Sequence, residues 1–228
     1  MLIAVILSML ICGQASAANP QKAATETQKA DTNGGKDDAD IKAWLKVKGD
    51  QYVAEVSTLL TKRVVRDNEG AVQSQMRIEE ICAEVLGRVT DPKIKADWFS
   101  RRATARNFVS SLRPGYRLLA LEDINSAVEP DPQKPEYYDT RAKYYCPVME
   151  KCEGAAFQKA VADYEKASAL APDEFLYPNR LGLLYRRSGM LEKAEYWLRI
   201  ALERAKRPQD RELVENNLKE TLSAPKKP

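Results

Sequence analysis

Beyond Asp40, apolar residues return every three or four positions, the spacing that gathers side chains on one side of an α-helix. Val53, Val56, Leu60 and Val64 form one such stripe, and Ile78, Ile81, Cys82 and Val85 form another. No alternating strand pattern emerges. Helix-breaking residues fall at Asp67–Gly70, Thr90–Pro92, Pro114–Gly115, Pro130–Pro132, Cys146–Gly154, Pro172 and Ser188–Gly189, leaving segments of helix length between them. The pattern predicts an all-α chain of helices joined by short turns.

Two N-terminal stretches stand outside this pattern. Leu2 to Cys12 is an uncharged apolar run followed by Gly13 and the small residues Ala15, Ser16 and Ala17, the layout of a secretory signal with an A-x-A cleavage site. A membrane span needs roughly 20 apolar residues, about twice the length of this core. No Lys or Arg precedes the run, so the terminal amine alone supplies the positive charge or the true start lies upstream. A buried N-terminal helix and an uncleaved anchor are the alternatives. Met9, Leu10 and Ile11 do not supply the small residue that lipidation of Cys12 would need. Residues 1–17 are therefore read as a signal peptide, with the mature protein periplasmic or secreted. From Ala18 to Asp40 almost no large apolar side chain occurs, so burial cannot offset the entropy of ordering, and 18–40 is read as a flexible linker. Residues 41–94 form a divergent helical region, and 223–228 a short tail.

The chain also repeats itself. Pro92, Pro132 and Pro172 lie forty residues apart, and at the same shift Trp98 meets Tyr138, Arg101 meets Arg141, Ala120 meets Ala160, Ile124 meets Tyr164, and Ala127 meets Ala167. A shorter shift of 34 carries Ala160 and Ala167 onto Ala194 and Ala201. In that last unit Leu181, Gly182 and Tyr185, followed by Ala194, Leu198 and Ala201, fit the L-G-x2-Y…A-x3-F…A spacing, which resembles the tetratricopeptide repeat. Pro178 stands where the family has Trp, Lys206 where a closing Pro is common, and Arg102 where a small residue is typical in the first unit. The two earlier units each carry six extra residues between their helices.

The resemblance implies a right-handed α-α superhelix of antiparallel helix pairs, with repeats at 95–134, 135–174 and 175–208. Small residues such as Gly182 and Ala194 would lie where helices approach, and Tyr185, Trp197 and Leu198 would fill the space beside them. Each well-buried side chain of that size contributes about 1.5–3 kcal/mol. One helix pair cannot cover its own apolar face, so neighbours stack. Residues 209–222, with Val214, Leu218 and Leu222 on one side and Arg211, Glu215 and Lys219 opposite, read as a capping helix. In similar proteins the first helix of each pair lines a concave groove. That logic places Phe99, Arg106, Asp139, Lys143, Asn179, Leu183 and Arg186 on a partner-binding face, and it exposes Leu176, Arg187, Glu136 and Ala103 with them. Ordinary solvated surface is the competing account of each member.

Composition narrows the chemistry. The 228 residues include no His, which removes the commonest general base near neutral pH and every His-paired nucleophile. The net charge of +3 is far from the concentrated basic footprint of a nucleic-acid binder. Glu79, Glu80 and Glu84 could be imagined as catalytic acids, but three acids on one helix more often form a solvated face. No metal or other cofactor is called for. Cys146 and Cys152 bracket the insertion beside Pro147 and Gly154 and would form a disulfide in an oxidising compartment. Cys82, on an apolar stripe, is expected to be buried. The sequence thus points to a non-enzymatic scaffold for a protein or peptide, with a structural subunit held through its convex or terminal surfaces as the alternative.

Overall fold

The computed structural model describes residues 34–148 and 150–224. The stretch read as a signal peptide, most of that read as a linker, and residues 225–228 lie outside them. Among the described residues there are nine helices and no strand: α1 (Gly34–Val64), α2 (Asn68–Arg88), α3 (Pro92–Phe108), α4 (Tyr116–Val128), α5 (Pro135–Tyr145), α6 (Gly154–Leu170), α7 (Leu176–Arg187), α8 (Leu191–Arg204) and α9 (Pro208–Leu222). None is long and apolar enough to cross a membrane. Two compact units divide between Gly87 and Arg88.

The first unit carries α1 and nearly all of α2. Tyr52, Val56, Leu59 and Leu60 are the buried residues of α1, spaced i, i+4, i+7 and i+8. The stripe inferred from sequence is rotated from this one, since Val53 is 39 % and Val64 58 % exposed. In α2 the inner face holds Ala71, Gln75, Ile78, Cys82 and Val85, all fully buried, so Cys82 is a core residue as expected. Lys48 donates to Glu84 at 2.5 Å and joins the two helices. Helix α1 begins at Gly34, so 34–40, read as linker, is helical. The stretch from Lys36 to Lys48 contains no Pro or Gly to stop the helix once Tyr52 and Val56 anchor it.

The second unit stacks three antiparallel pairs, α3/α4, α5/α6 and α7/α8, and ends on the single helix α9. Helix starts follow local chemistry. Asp91 caps α3 by accepting from the backbone N–H of Lys93 (2.8 Å) and Ile94 (3.0 Å), with Pro92 in the first turn where its missing N–H is harmless. Pro135 and Pro208 open α5 and α9 in the same way. Pro178, which replaces the family's Trp, is tolerated because it too sits in a first turn, that of α7. At the other end of α7, Gly189 takes φ +78°, and Met190 N–H reaches the carbonyl of Tyr185 at 3.0 Å while Gly189 N–H reaches Arg186 at 3.0 Å. This is a Schellman turn, which needs a residue at ease with positive φ.

Small residues sit where the pairs close. Ala120, Ala160 and Ala194, with Ala127, Ala167 and Ala201, are all fully buried. A Cβ on Gly182 would lie 2.7 Å from Leu198 Cγ and 3.1 Å from the Ala194 carbonyl oxygen, so α7 and α8 approach closely enough to demand glycine. Around this contact Phe157, Tyr164, Leu181, Leu184 and Tyr185 build a core shared by the second and third pairs, with Phe157 and Tyr185 edge to face at 5.7 Å.

Candidate functional site

The first helices of successive pairs form one row. Between α3 and α5, the Tyr137 hydroxyl donates to Asp97 at 2.7 Å, and Lys134 pairs with the same carboxylate. Between α5 and α7, Arg180 pairs with Asp139. Between α7 and α9, Asn217 Nδ2 donates to Asn179 Oδ1 at 2.9 Å. Helix α9 therefore continues the row as a fourth member. The second helices make the other layer, where Arg204 of α8 donates to Ser168 of α6 at 2.8 Å.

The residues proposed for the groove divide into those this row consumes and those it leaves open. Asn179 is 4 % exposed, because α9 covers it. Arg186 donates to Glu220 at 2.6 Å and to the Asn217 carbonyl at 3.5 Å, so it too is turned onto α9. Arg106 reaches back to its own pair, donating to Asp123 of α4 at 2.8 Å, and Phe99 is half-buried with the Arg102 guanidinium 5.4 Å from its ring centre. The expected outward exposure of Asn179, Asp139 and Arg106 is thus corrected. Each lies on a flank that a neighbouring helix packs against, and sequence spacing does not reveal how far each pair is rotated on the next. Lys143 and Leu183 remain accessible, with the Lys143 side chain 38 % exposed and Leu183 half-buried. Glu136 is exposed beside them.

At the centre of the row, Asp139 accepts from Lys143, one turn along α5, at 2.9 Å as well as from Arg180. Burial works to raise the Asp139 pKa, but the two cations outweigh it and hold the carboxyl below the ordinary carboxylate range. Burial also pushes the nearby Tyr164 and Tyr177 hydroxyls upward, so both stay protonated. Lys143 is the more exposed of the two cations, and burial pulls its ammonium pKa below the ordinary lysine range against the opposing pull of Asp139. Sequence reading missed Arg180. The only signal was a spacing of 41 residues from Asp139, one repeat plus one position.

A second polar system lies inside the pairs. Arg141 clamps Asp163 with Nε at 2.8 Å and Nη2 at 2.7 Å. In the first pair Arg102 holds the corresponding Asp123 at 3.0 and 2.6 Å. This explains the Arg at the small-residue position of the first unit, since Arg102 is the partner of a buried acid.

At the edge of the stack, Cys146 and Cys152 form the expected disulfide, with Cα atoms 5.3 Å apart. It borders a cavity of about 350 Å³ lined by Glu150, Cys152, Phe157, Leu184, Arg187 and Met190. Among the described residues, no group of three or more Cys, Asp or Glu side chains is placed to hold a metal ion.

Stacked antiparallel pairs with their first helices in one row define an α-solenoid. Comparison with solved structures makes the type specific, for the fold is that of the tetratricopeptide repeat. A thermophilic TPR protein of Thermus thermophilus is 18 % identical over 81 % of this chain and 96 % of that one, with a TM-score of 0.52. The Arabidopsis OM64 TPR domain is 16 % identical over 57 % of this chain and 98 % of its own, at TM-score 0.45. The first TPR of Spaghetti (RPAP3), solved bound to the HSP90 peptide SRMEEVD, is 20 % identical over 57 % of this chain and 92 % of its own, at TM-score 0.45. No family model and no curated protein matches the chain.

Proposed function

We propose that this chain is a non-enzymatic binding scaffold that holds a peptide or helix of a protein partner against the row of first helices. The observation that carries this is the accessible pair Lys143 and Leu183, one cationic and one apolar, on adjacent members of a solenoid row. A cation set on a buried Asp–Arg pair is held in place and suits an acidic group, while Leu183 offers apolar contact beside it. The absence of His from the sequence supports binding over catalysis. The apolar leader followed by small residues, with a disulfide in the stack, supports action in the periplasm or outside the cell.

Crosslinking in the native envelope followed by pull-down identifies the partner, and calorimetry against it tests the site. Lys143→Ala with Leu183→Ala should keep helix content and weaken binding by about 10- to 100-fold, since a hydrogen bond to a charged group is worth about 1.5–3 kcal/mol. Full affinity would reject the row of first helices as the binding face. Asn179 and Arg186 are poor probes because they hold α9 in place.

One observation favours attachment through the end of the stack. On α9, Leu213 is 48 % and Leu222 57 % exposed, and Leu222 lines a shallow hollow of about 460 Å³ together with Leu218. A structural subunit of an envelope complex would bury this end, and Leu213→Asp with Leu222→Asp would then release it from a stoichiometric partner that survives mild purification.

A further inference from the structure

In a helical solenoid each repeat ordinarily touches only its neighbours. The loop joining α5 to α6 touches both neighbours at once, because it receives side chains from the pairs on either side of its own. From the first pair, Arg117 at the start of α4 grips Glu150 with both terminal nitrogens, Nη1 at 2.6 Å from Oε2. From the third pair, Arg187 at the end of α7 donates to the carbonyls of Pro147 at 3.1 Å and Cys146 at 3.4 Å. The three acceptor residues, Cys146, Pro147 and Glu150, lie within the span closed by Cys146 and Cys152, six residues apart in sequence. Between its two cysteines, the described residues of the loop hold to one another locally: the Glu150 N–H donates to the Pro147 carbonyl at 3.2 Å and Lys151 pairs with Glu153 two residues away, while Val148 is 73 % exposed.

The energetics make the disulfide decisive. Arg117 and Glu150 are 36 % and 48 % exposed, and an ion pair that wet gains little when its partners must first be ordered. A loop already closed by a covalent bond has given up that freedom, so its carboxylate and carbonyls wait in place for both arginines. Without the bond, the same contacts compete with loop entropy.

We propose that the Cys146–Cys152 disulfide is a redox-sensitive clasp. Closed, it ties the start of α4 and the end of α7 to the loop of the second pair; opened, it releases Arg117 and Arg187, and those two helix ends loosen while the shared core keeps the pairs stacked. The reductant is a dithiol. One of its thiolates attacks a cystine sulfur and displaces the other cysteine as a thiolate, and its second thiolate then attacks the mixed disulfide. Two electrons pass to the protein, both cysteines take up protons, and the dithiol leaves as its own cyclic disulfide. The clasp does not depend on which face of the solenoid binds a partner.

Hydrogen exchange of the full chain, oxidised and then reduced with dithiothreitol, tests the proposal. Reduction should lower Tm by about 4–8 °C and speed exchange by about tenfold at the start of α4 and the end of α7, and reoxidation should reverse both. Glu150→Gln with Arg187→Gln should show the faster exchange at those helix ends while still oxidised, with little further change there on reduction. Cys146→Ser with Cys152→Ser should match the reduced wild type; if that variant fails to fold, the reversible reduction stands by itself. Exchange that changes only within 146–152, or an unchanged Tm, would overturn the clasp and leave the disulfide a local staple.

Discussion

The second and third helix pairs share one geometry and close it with opposite chemistry. Where α5 meets α6, Arg141 and Asp163 make a two-pronged ion pair, its side chains 20 % and 7 % exposed. At the corresponding positions of the third pair stand Leu181 and Trp197, and Gly182 lets Leu198 seat directly against α7. A buried ion pair demands a fixed geometry and contributes little net stability, because desolvation offsets most of the attraction. Apolar packing supplies stability through area and fit. The fold accepts either, so the repeat is specified by its Ala positions and its turns more than by what fills each seam.

Removing one half of the polar seam should therefore have the largest effect. Asp163→Ala leaves Arg141 buried without its acid and should lower unfolding free energy by about 3 kcal/mol in denaturant titrations. Arg141→Leu combined with Asp163→Leu imitates the third pair and should return to within about 1 kcal/mol of the parent. A double variant as unstable as the single one would show that the two seams are not interchangeable.

The apolar seam is sensitive to volume instead. Ala194→Leu adds bulk where Ala194 is fully buried and should destabilise by about 2 kcal/mol, whereas unchanged unfolding would contradict the close approach of α7 and α8.

The row of first helices offers a third contrast, since the charged Asp139 in α5 corresponds to the neutral Asn179 in α7. A carboxyl whose folded pKa is depressed stabilises above its unfolded pKa, about 3.9, and loses that contribution as pH falls through and below that value. Asp139→Asn should be about 1–2 kcal/mol less stable than the parent at pH 7, with Lys143 half in water moderating the loss. The difference should shrink below about pH 4. Asn179→Ala should show no such pH dependence, and parallel curves for parent and Asp139→Asn down to about pH 2 would remove the carboxylate from the account. Glu192→Ala, at an exposed site on α8, should stay within about 0.5 kcal/mol.

Much of this architecture is legible in the sequence, because the signals involved are local. The alanines at forty- and thirty-four-residue shifts, the prolines that open helices, the glycine at the end of α7 and the short Cys146–Cys152 span each act within a few residues or recur at a fixed period. What escapes has a long-range cause. The sequence stripe of α1 shares Val56 and Leu60 with its buried face but takes Val53 and Val64 where the fold buries Tyr52 and Leu59, a choice that packing and not local spacing makes. Asn179 and Arg186 read as members of an open groove as long as α9 is counted a lid on the stack, whereas its Asn217 and Glu220 take a place in the row. Arg180 is invisible for the same reason: its role depends on an acid one full repeat away, at a distance set by the rotation between neighbouring pairs.

Site-specific photo-crosslinking tests the central claim most directly. A photoreactive amino acid placed singly at Leu183, in the row of first helices, or at Tyr196, 61 % exposed on α8, samples the two layers in otherwise identical proteins. A partner held by the row of first helices should be captured from Leu183 and not from Tyr196. Capture from Tyr196 alone would place the partner on the second helices and contradict the account.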